Sequence, residues 1–159
     1  MCRVILATLA VTILAACQPQ TAELTEEQKA AIADTVIQVR AELVEVNERL
    51  DADAFLSFFA DYVVVAKELN VMDYDAFAAE IREDFGTYDH YVIEEELIKA
   101  SVLSEDAVAV TDRSMWYLIA TSGDTIWTAP ATFTLVFVRR NEQWKIVNLH
   151  AAWVDPNSD

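Results

Sequence analysis

The segment Thr132-Phe-Thr-Leu-Val-Phe-Val-Arg-Arg-Asn-Glu-Gln-Trp-Lys-Ile-Val-Asn-Leu-His150 alternates apolar and polar side chains, breaks once, and resumes. The break is Asn141-Glu142, a two-residue connection suited to a tight hairpin between two strands. The same period of two extends upstream. It predicts strands over residues 91–103, 107–120, 125–139 and 143–153. Ser104-Glu105-Asp106 and Ser122-Gly123-Asp124 separate the first three. Connections this short require antiparallel neighbours, so the four strands form a meander. Pro130 interrupts the third; without an N–H it predicts a bulge or an edge position.

Further upstream the period lengthens. Thr25-Glu26-Glu27-Gln28 has the pattern of a capping box. Ile32, Val36, Val39, Leu43, Val46 and Leu50 then recur at alternating steps of four and three, predicting an amphipathic helix over residues 25–50. Asp51 or Asp53 caps a short helix over 54–60, with Phe55, Phe58 and Phe59 as its buried side. Tyr62-Val63-Val64-Val65 reads as a short strand. A third helix starts at a cap of Asp73 or Asp75 and runs to Phe85, with Gly86 as its stop. Three helices, one early strand and a four-strand meander define an α+β chain with its helices on one face of a mainly antiparallel sheet.

Composition narrows the function. The chain has 159 residues, 54% of them hydrophobic, with 11 Lys+Arg against 27 Asp+Glu. That size suits one domain. A formal charge of −16 argues against a nucleic-acid partner, which needs clustered cations. There is no Gly-rich phosphate loop and no nucleophile elbow. His90 and His150 lack zinc-ligand spacing, and neither Asp51-x-Asp53 nor Asp73-x-Asp75 continues as a calcium loop. No metal or cofactor is expected.

The first residues read as an address. Arg3 supplies one positive charge, and Val4–Leu14 is an apolar run too short for the roughly 20 residues of a membrane-spanning helix. Leu14-Ala15-Ala16-Cys17 follows and resembles the lipobox of bacterial lipoproteins. The resemblance implies a signal peptide over 1–16, cleavage before Cys17, and acylation of that cysteine. Residues 17–24 are then a lipidated cysteine and tether, 25–153 the folded domain, and 154–159 a tail. Gln18 rather than Asp after the cysteine implies the outer membrane, facing the periplasm, in a Gram-negative cell envelope. The tether reaches about 25 Å at most, and acyl chains must hold this acidic protein against membrane repulsion.

The closing hairpin, with its basic-polar turn, Trp144, the Ile146-Val147 pair and late His150, resembles that of nuclear transport factor 2-like proteins, in particular the SnoaL-like branch and the calcium/calmodulin-dependent kinase II association domain. Ala52-Asp53-Ala54-Phe55 and Phe59-Ala60-Asp61-Tyr62-Val63-Val64 resemble the family's second helix and first strand. The resemblance covers about residues 25–153. It implies a cone-shaped, cystatin-like fold: three helices under a strongly curved sheet, with a pocket at the open end. The family includes isomerases, dehydratases and polyketide cyclases, so the fold says little about reaction. One departure is Ala131-Thr132-Phe133, where the family often carries an Arg.

Strict alternation on the last strand puts Trp144, Ile146, Asn148, His150 and Ala152 on one face, and Lys145, Val147, Leu149, Ala151 and Trp153 on the other. The first set is read as inside the cone, because polar Asn148 and His150 suit a pocket mouth. The second set is then an apolar outer face suited to homodimerisation. His150 is the leading acid–base candidate, with a hydrogen-bonded pocket histidine as the alternative. Asp112 shares a face with Val108, Val110, Ser114, Trp116 and Leu118. If that face is inward, Asp112 is a buried carboxylate suited to base or donor work; the alternative is that the strand is bulged, or that Asp112 pairs with Arg113, Arg139 or Arg140. Asp61 is a third candidate, against a plain helix-end role. Tyr62, Trp116, Trp127, Phe133, Asn148 and His150 are the expected pocket lining. Glu94-Glu95-Glu96 reads as a solvated strand segment.

The expected function is a membrane-anchored envelope lipoprotein whose cone binds a small apolar ligand or serves as a dimeric assembly module, without catalysis. The alternative is a SnoaL-like or steroid-isomerase-like enzyme of isomerase, cyclase or dehydratase type. A purely structural protein, its cone filled by its own side chains, is the third reading.

Overall fold

The computed structural model describes residues 23–87, 89–120 and 122–153, with the side chains of Ile126 and Trp127 outside the description. Helix α1 (Glu26–Glu48) is followed by α2 (Ala52–Leu56), strands β1 (Phe59–Lys67) and β2 (Asn70–Met72), α3 (Tyr74–Thr87), and strands β3 (His90–Ser104), β4 (Ala107–Ile119), β5 (Thr125–Arg140) and β6 (Gln143–Trp153). The signal segment, the tether up to Ala22 and the tail lie outside the described residues. Among the described residues no helix is long and apolar enough to cross a membrane.

The caps follow the sequence. Thr25 accepts the Gln28 N–H, and the Gln28 side chain accepts the Thr25 N–H at 2.8 Å, closing the capping box. Asp51 accepts the Ala54 N–H, and Asp73 the Ala76 N–H, each at 3.0 Å. Two boundaries move. The chain enters β1 at Phe59, so α2 ends about one turn earlier than its aromatic pattern suggests, and Asp61 belongs to a strand. Gly86 lies inside the last turn of α3.

The six strands form one sheet in the order β2-β1-β6-β5-β4-β3. Only the β1–β6 pair is parallel, as α3 and the β3–β5 meander separate the two strands in sequence. The β5–β6 turn has φ of 49° at Asn141 and 67° at Glu142, the left-handed pair that a two-residue hairpin needs. Pro130 lies in an interior strand, opposite Met115, where the register with β4 runs on without a shift, and it makes no bulge. Pairing with β6 begins one residue later, at Ala131, so Pro130 has a described strand neighbour on one side alone. The local edge, rather than a bulge, accommodates the missing N–H.

The helices lie against the concave inner face. Phe55, Phe59 and Phe77 form an aromatic knot, with ring centroids 5.1 Å apart for the first pair and 4.9 Å for Phe59 and Phe77. Below it, Val108, Phe137 and Ile146 form one fully buried row across three strands. Burial of each such large side chain contributes about 1.5–3 kcal/mol.

Two bulges set which side chains look inward. In β3, register slips between Glu95 and Leu97: Glu95 is opposite Ser114, and Leu97 is opposite Arg113. The extra residue, Glu96, resets the alternation, so Glu95 and Ile98 share the inner face. In β6, Asn148 pairs with Val136 but Ile146 pairs with Phe137, leaving Val147 as the extra residue. From there the alternation is reversed: Leu149, Ala151 and Trp153 face inward, and Asn148 and His150 face outward. The strict alternation expected for this strand therefore holds only as far as Ile146. The expected placement of Asn148 and His150 inside the cone is corrected by this one residue.

Candidate cavity site

A cavity of about 690 Å³ lies between the inner sheet face and the helices. Its walls are chiefly aliphatic and aromatic. Trp116 centres an aromatic cluster: its ring is 5.5 Å from Tyr91, 5.3 Å from Phe133 and 5.1 Å from Trp153. Trp116 and Phe133 were expected here. Trp153, Tyr91, Leu149 and Ala151 also line the cavity; the first, third and fourth enter through the β6 bulge.

A line of polar groups crosses this apolar wall. Asp112, Ser114 and Trp116 alternate along β4 and are all buried. The Trp116 Nε1–H donates to Ser114 Oγ at 3.0 Å, and Ser114 Oγ donates to Asp112 Oδ1 at 3.4 Å. From the opposite wall, Arg40 Nε donates to Asp112 Oδ2 at 2.9 Å, and Arg40 Nη1 donates to Glu95 Oε1. Arg40 is 3% exposed and Asp112 1%, so this ion pair is sealed from bulk water. Its partner is none of the three arginines considered from sequence. Arg113 pairs with Glu96 at 2.7 Å and Arg139 with Asp106 at 2.8 Å, both at the surface. Glu95 is likewise not a plain solvated residue, because the β3 bulge turns it toward Arg40.

Arg40 and Asn47 are site residues that the helix reading passed over. They lie four residues beyond Val36 and Leu43, on the inner stripe of α1. An arginine and an asparagine at core-spaced positions of an amphipathic helix are the signal that marks them. Asn47 is 8% exposed and lines the cavity; its Oδ1 is buried without a hydrogen-bond partner.

A second polar set borders the cavity at α3 and β1. Lys67 Nζ donates to Glu80 Oε1 at 2.5 Å, with Glu68 and Asp84 alongside. Burial pushes the Asp84 carboxyl above its ordinary range; Lys67 opposes the shift, while Glu80 and Glu83 reinforce it.

The remaining sequence candidates lie elsewhere. His150 is exposed on the outer sheet face, in register with Ala66 and Thr134. Asn148 sits beside Val64 and Val136 on that same face. Tyr62 is 58% exposed, and Asp61 is exposed next to it. None of these four lines the cavity. The Trp127 side chain lies outside the described set. Among the described residues no group of three or more His, Cys, Asp or Glu could hold a metal ion.

A curved six-stranded sheet closing a helix-lined cavity is the architecture of the nuclear transport factor 2-like proteins. The family model for the SnoaL-like domain matches residues 36–156, and the chain belongs to this family. No curated protein matches the sequence. Solved structures share the fold at low identity. A candidate scytalone dehydratase from Novosphingobium aromaticivorans is 12% identical with a TM-score of 0.71, over 82% of this chain and 89% of that one. A hexachlorocyclohexane dehydrochlorinase from Novosphingobium barchaimii is 11% identical with a TM-score of 0.66, over 82% and 92%. The association domain of C. elegans CaMKII is 14% identical with a TM-score of 0.66, over 80% and 99%. Enzymes and an assembly domain thus share this architecture.

Proposed function

We propose that the chain is an envelope lipoprotein, anchored through acylated Cys17, whose domain binds a small and largely apolar molecule in its cone without transforming it. The observation that carries the binding reading is the cavity of about 690 Å³, with aromatic walls and a few convergent polar groups, the usual make-up of a small-ligand site. A cone filled by its own side chains does not match that volume. Binding is preferred over chemistry because Asp112 is engaged on both oxygens, by Arg40 and by Ser114, and is held as a clamp between α1 and β4.

One observation favours an acid–base enzyme instead: Asp112 fronts the cavity. The similar folds named as a dehydratase and a dehydrochlorinase make that reading chemically concrete. The two separate in one experiment. A neutral apolar probe, 4-phenylbutan-1-ol, is titrated into the protein while the fluorescence of Trp116 and Trp153 is followed, and the probe is then recovered and weighed by mass spectrometry. Saturable quenching that Val44→Trp abolishes, with the probe returned intact, is the expected result. Absence of saturation sinks the cavity reading; dehydration of the alcohol replaces it with the enzyme.

We also propose a homodimer through the outer sheet face. Leu149, Ala151 and Trp153, on which that expectation first rested, line the cavity instead, and the exposed Tyr62 and Val64, with Val136 on the far side of Asn148, take their place. Light scattering should report twice the monomer mass; a monomer at micromolar concentration removes this proposal.

A further inference from the structure

The cavity has an open end and a sealed end. Tyr91 near the start of β3, Leu118 near the end of β4 and Trp153 at the end of β6 line it at one end of the sheet. Solvent reaches the lining there. Glu68, exposed, and Lys67, half-buried, leave β1 beside Ala151, and Glu80 meets Lys67 from α3. Toward the other end, Val108, Phe137 and Ile146 form a row with no exposed surface. The β3–β4 turn at Glu105-Asp106 and the β5–β6 turn at Asn141-Glu142 lie beyond that row.

Two contacts fix the direction of α1 against this axis. Arg40 Nε donates to Asp112 at 2.9 Å, and Glu48 Oε1 accepts the N–H of Ile93, which is opposite Trp116, at 2.9 Å. About 12 Å of helix separates Arg40 from Glu48, and about 13 Å of strand separates Asp112 from Trp116. The two advances match, so α1 runs alongside β4 and in its direction, and its C-terminal end lies at the open end of the cone. Glu26, the first residue of α1, is about 33 Å of helix back from Glu48. The chain that leads to Cys17 therefore joins the domain at the sealed end. That tether reaches about 25 Å at most. Setting the open end on a bilayer would raise Glu26 about 33 Å above the surface, beyond the tether's reach.

Resting on the reading that acylated Cys17 anchors the chain, we propose that the domain stands on its sealed end, with the cone opening away from the anchoring leaflet and into the aqueous compartment. The turns at Glu105-Asp106 and Asn141-Glu142 then face the headgroups. The tip of the β1–β2 hairpin, where Leu69 is 99% exposed, is held away from lipid. Cleavage removes Cys2 and acylation occupies Cys17, so a single introduced cysteine accepts a single label. Glu105→Cys marks the sealed end and Leu69→Cys the open end, both at exposed positions where packing is untouched. Each lipidated protein is labelled with fluorescein and reconstituted into phosphatidylcholine vesicles that carry rhodamine on a fraction of their headgroups. Energy transfer should be greater from the Glu105 position than from the Leu69 position. Equal transfer from the two, or greater transfer from the Leu69 position, overturns the orientation and leaves the anchor standing. Failure of both proteins to sediment with the vesicles overturns the anchor, and the orientation with it.

Discussion

Arg40 shows how a single residue joins fold and site. Its guanidinium spans from α1 to β4 and meets Asp112, 72 positions away in sequence. Removing one member of a buried pair strands the other charge, at a cost of about 3–5 kcal/mol, whereas replacing both with apolar groups is often neutral. Urea unfolding should therefore find Arg40→Met strongly destabilised and the Arg40→Met, Asp112→Leu double variant close to the parent; equal losses in both would show that the pair does not act as a unit. Asp84 gives a prediction in pH. Its folded pKa lies above the unfolded value of 3.8, so the folded state holds the proton more tightly. Its contribution is fully present below the unfolded pKa and is lost as pH rises through the folded one. Asp84→Asn should flatten the fall in stability above pH 4 and raise stability at pH 7, measured as melting temperature against pH. At this scale the sequence was half legible. Inward Asp112 follows from alternation along an unbulged strand, but no local pattern names a partner so distant. Arg40 and Asn47 were visible only as polar residues at core-spaced positions of α1.

The elements were largely legible because their periods are clean. The capping box, the heptad-like stripe of α1 and the φ > 0 turn at Asn141-Glu142 are local signals, and local backbone chemistry enforces them. Faces were less legible. A bulge adds one residue without altering composition, and one residue inverts every side chain beyond it. In β6 that residue is Val147, which brings Leu149, Ala151 and Trp153 into the cone and sends His150 to the surface. Deleting Val147 removes the extra residue and leaves Ile146, Leu149, Ala151 and Trp153 in plain alternation on the inner face, with their partners on β5 unchanged. We expect the variant to fold with a modest loss of stability in urea and to keep probe binding, with His150 still open to carboxyethylation by diethyl pyrocarbonate. Loss of probe binding with His150 protected would show instead that the strand beyond the bulge has inverted its faces.

At the scale of the whole molecule, the domain and its proposed anchor answer different needs. A formal charge of −16 keeps the domain away from anionic headgroups. Among the described residues no helix is long and apolar enough to cross a membrane, and the attachment proposed here is acylation of Cys17. A single acyl chain holds a protein only marginally, and stable residence takes more than one. That is what acylation of both the thiol and the new amino terminus would provide. The short tether would then keep the cone within reach of small amphiphiles leaving the bilayer. Labelled palmitate fed to cells should enter the wild-type protein, which should sediment with membranes. The Cys17→Ser variant should take up no label and, if still exported, should appear in the soluble periplasmic fraction with its cavity intact. Equal labelling of both proteins would end the lipoprotein assignment, while the cavity and its probe affinities would stand unchanged, because they rest on residues 40–153 alone.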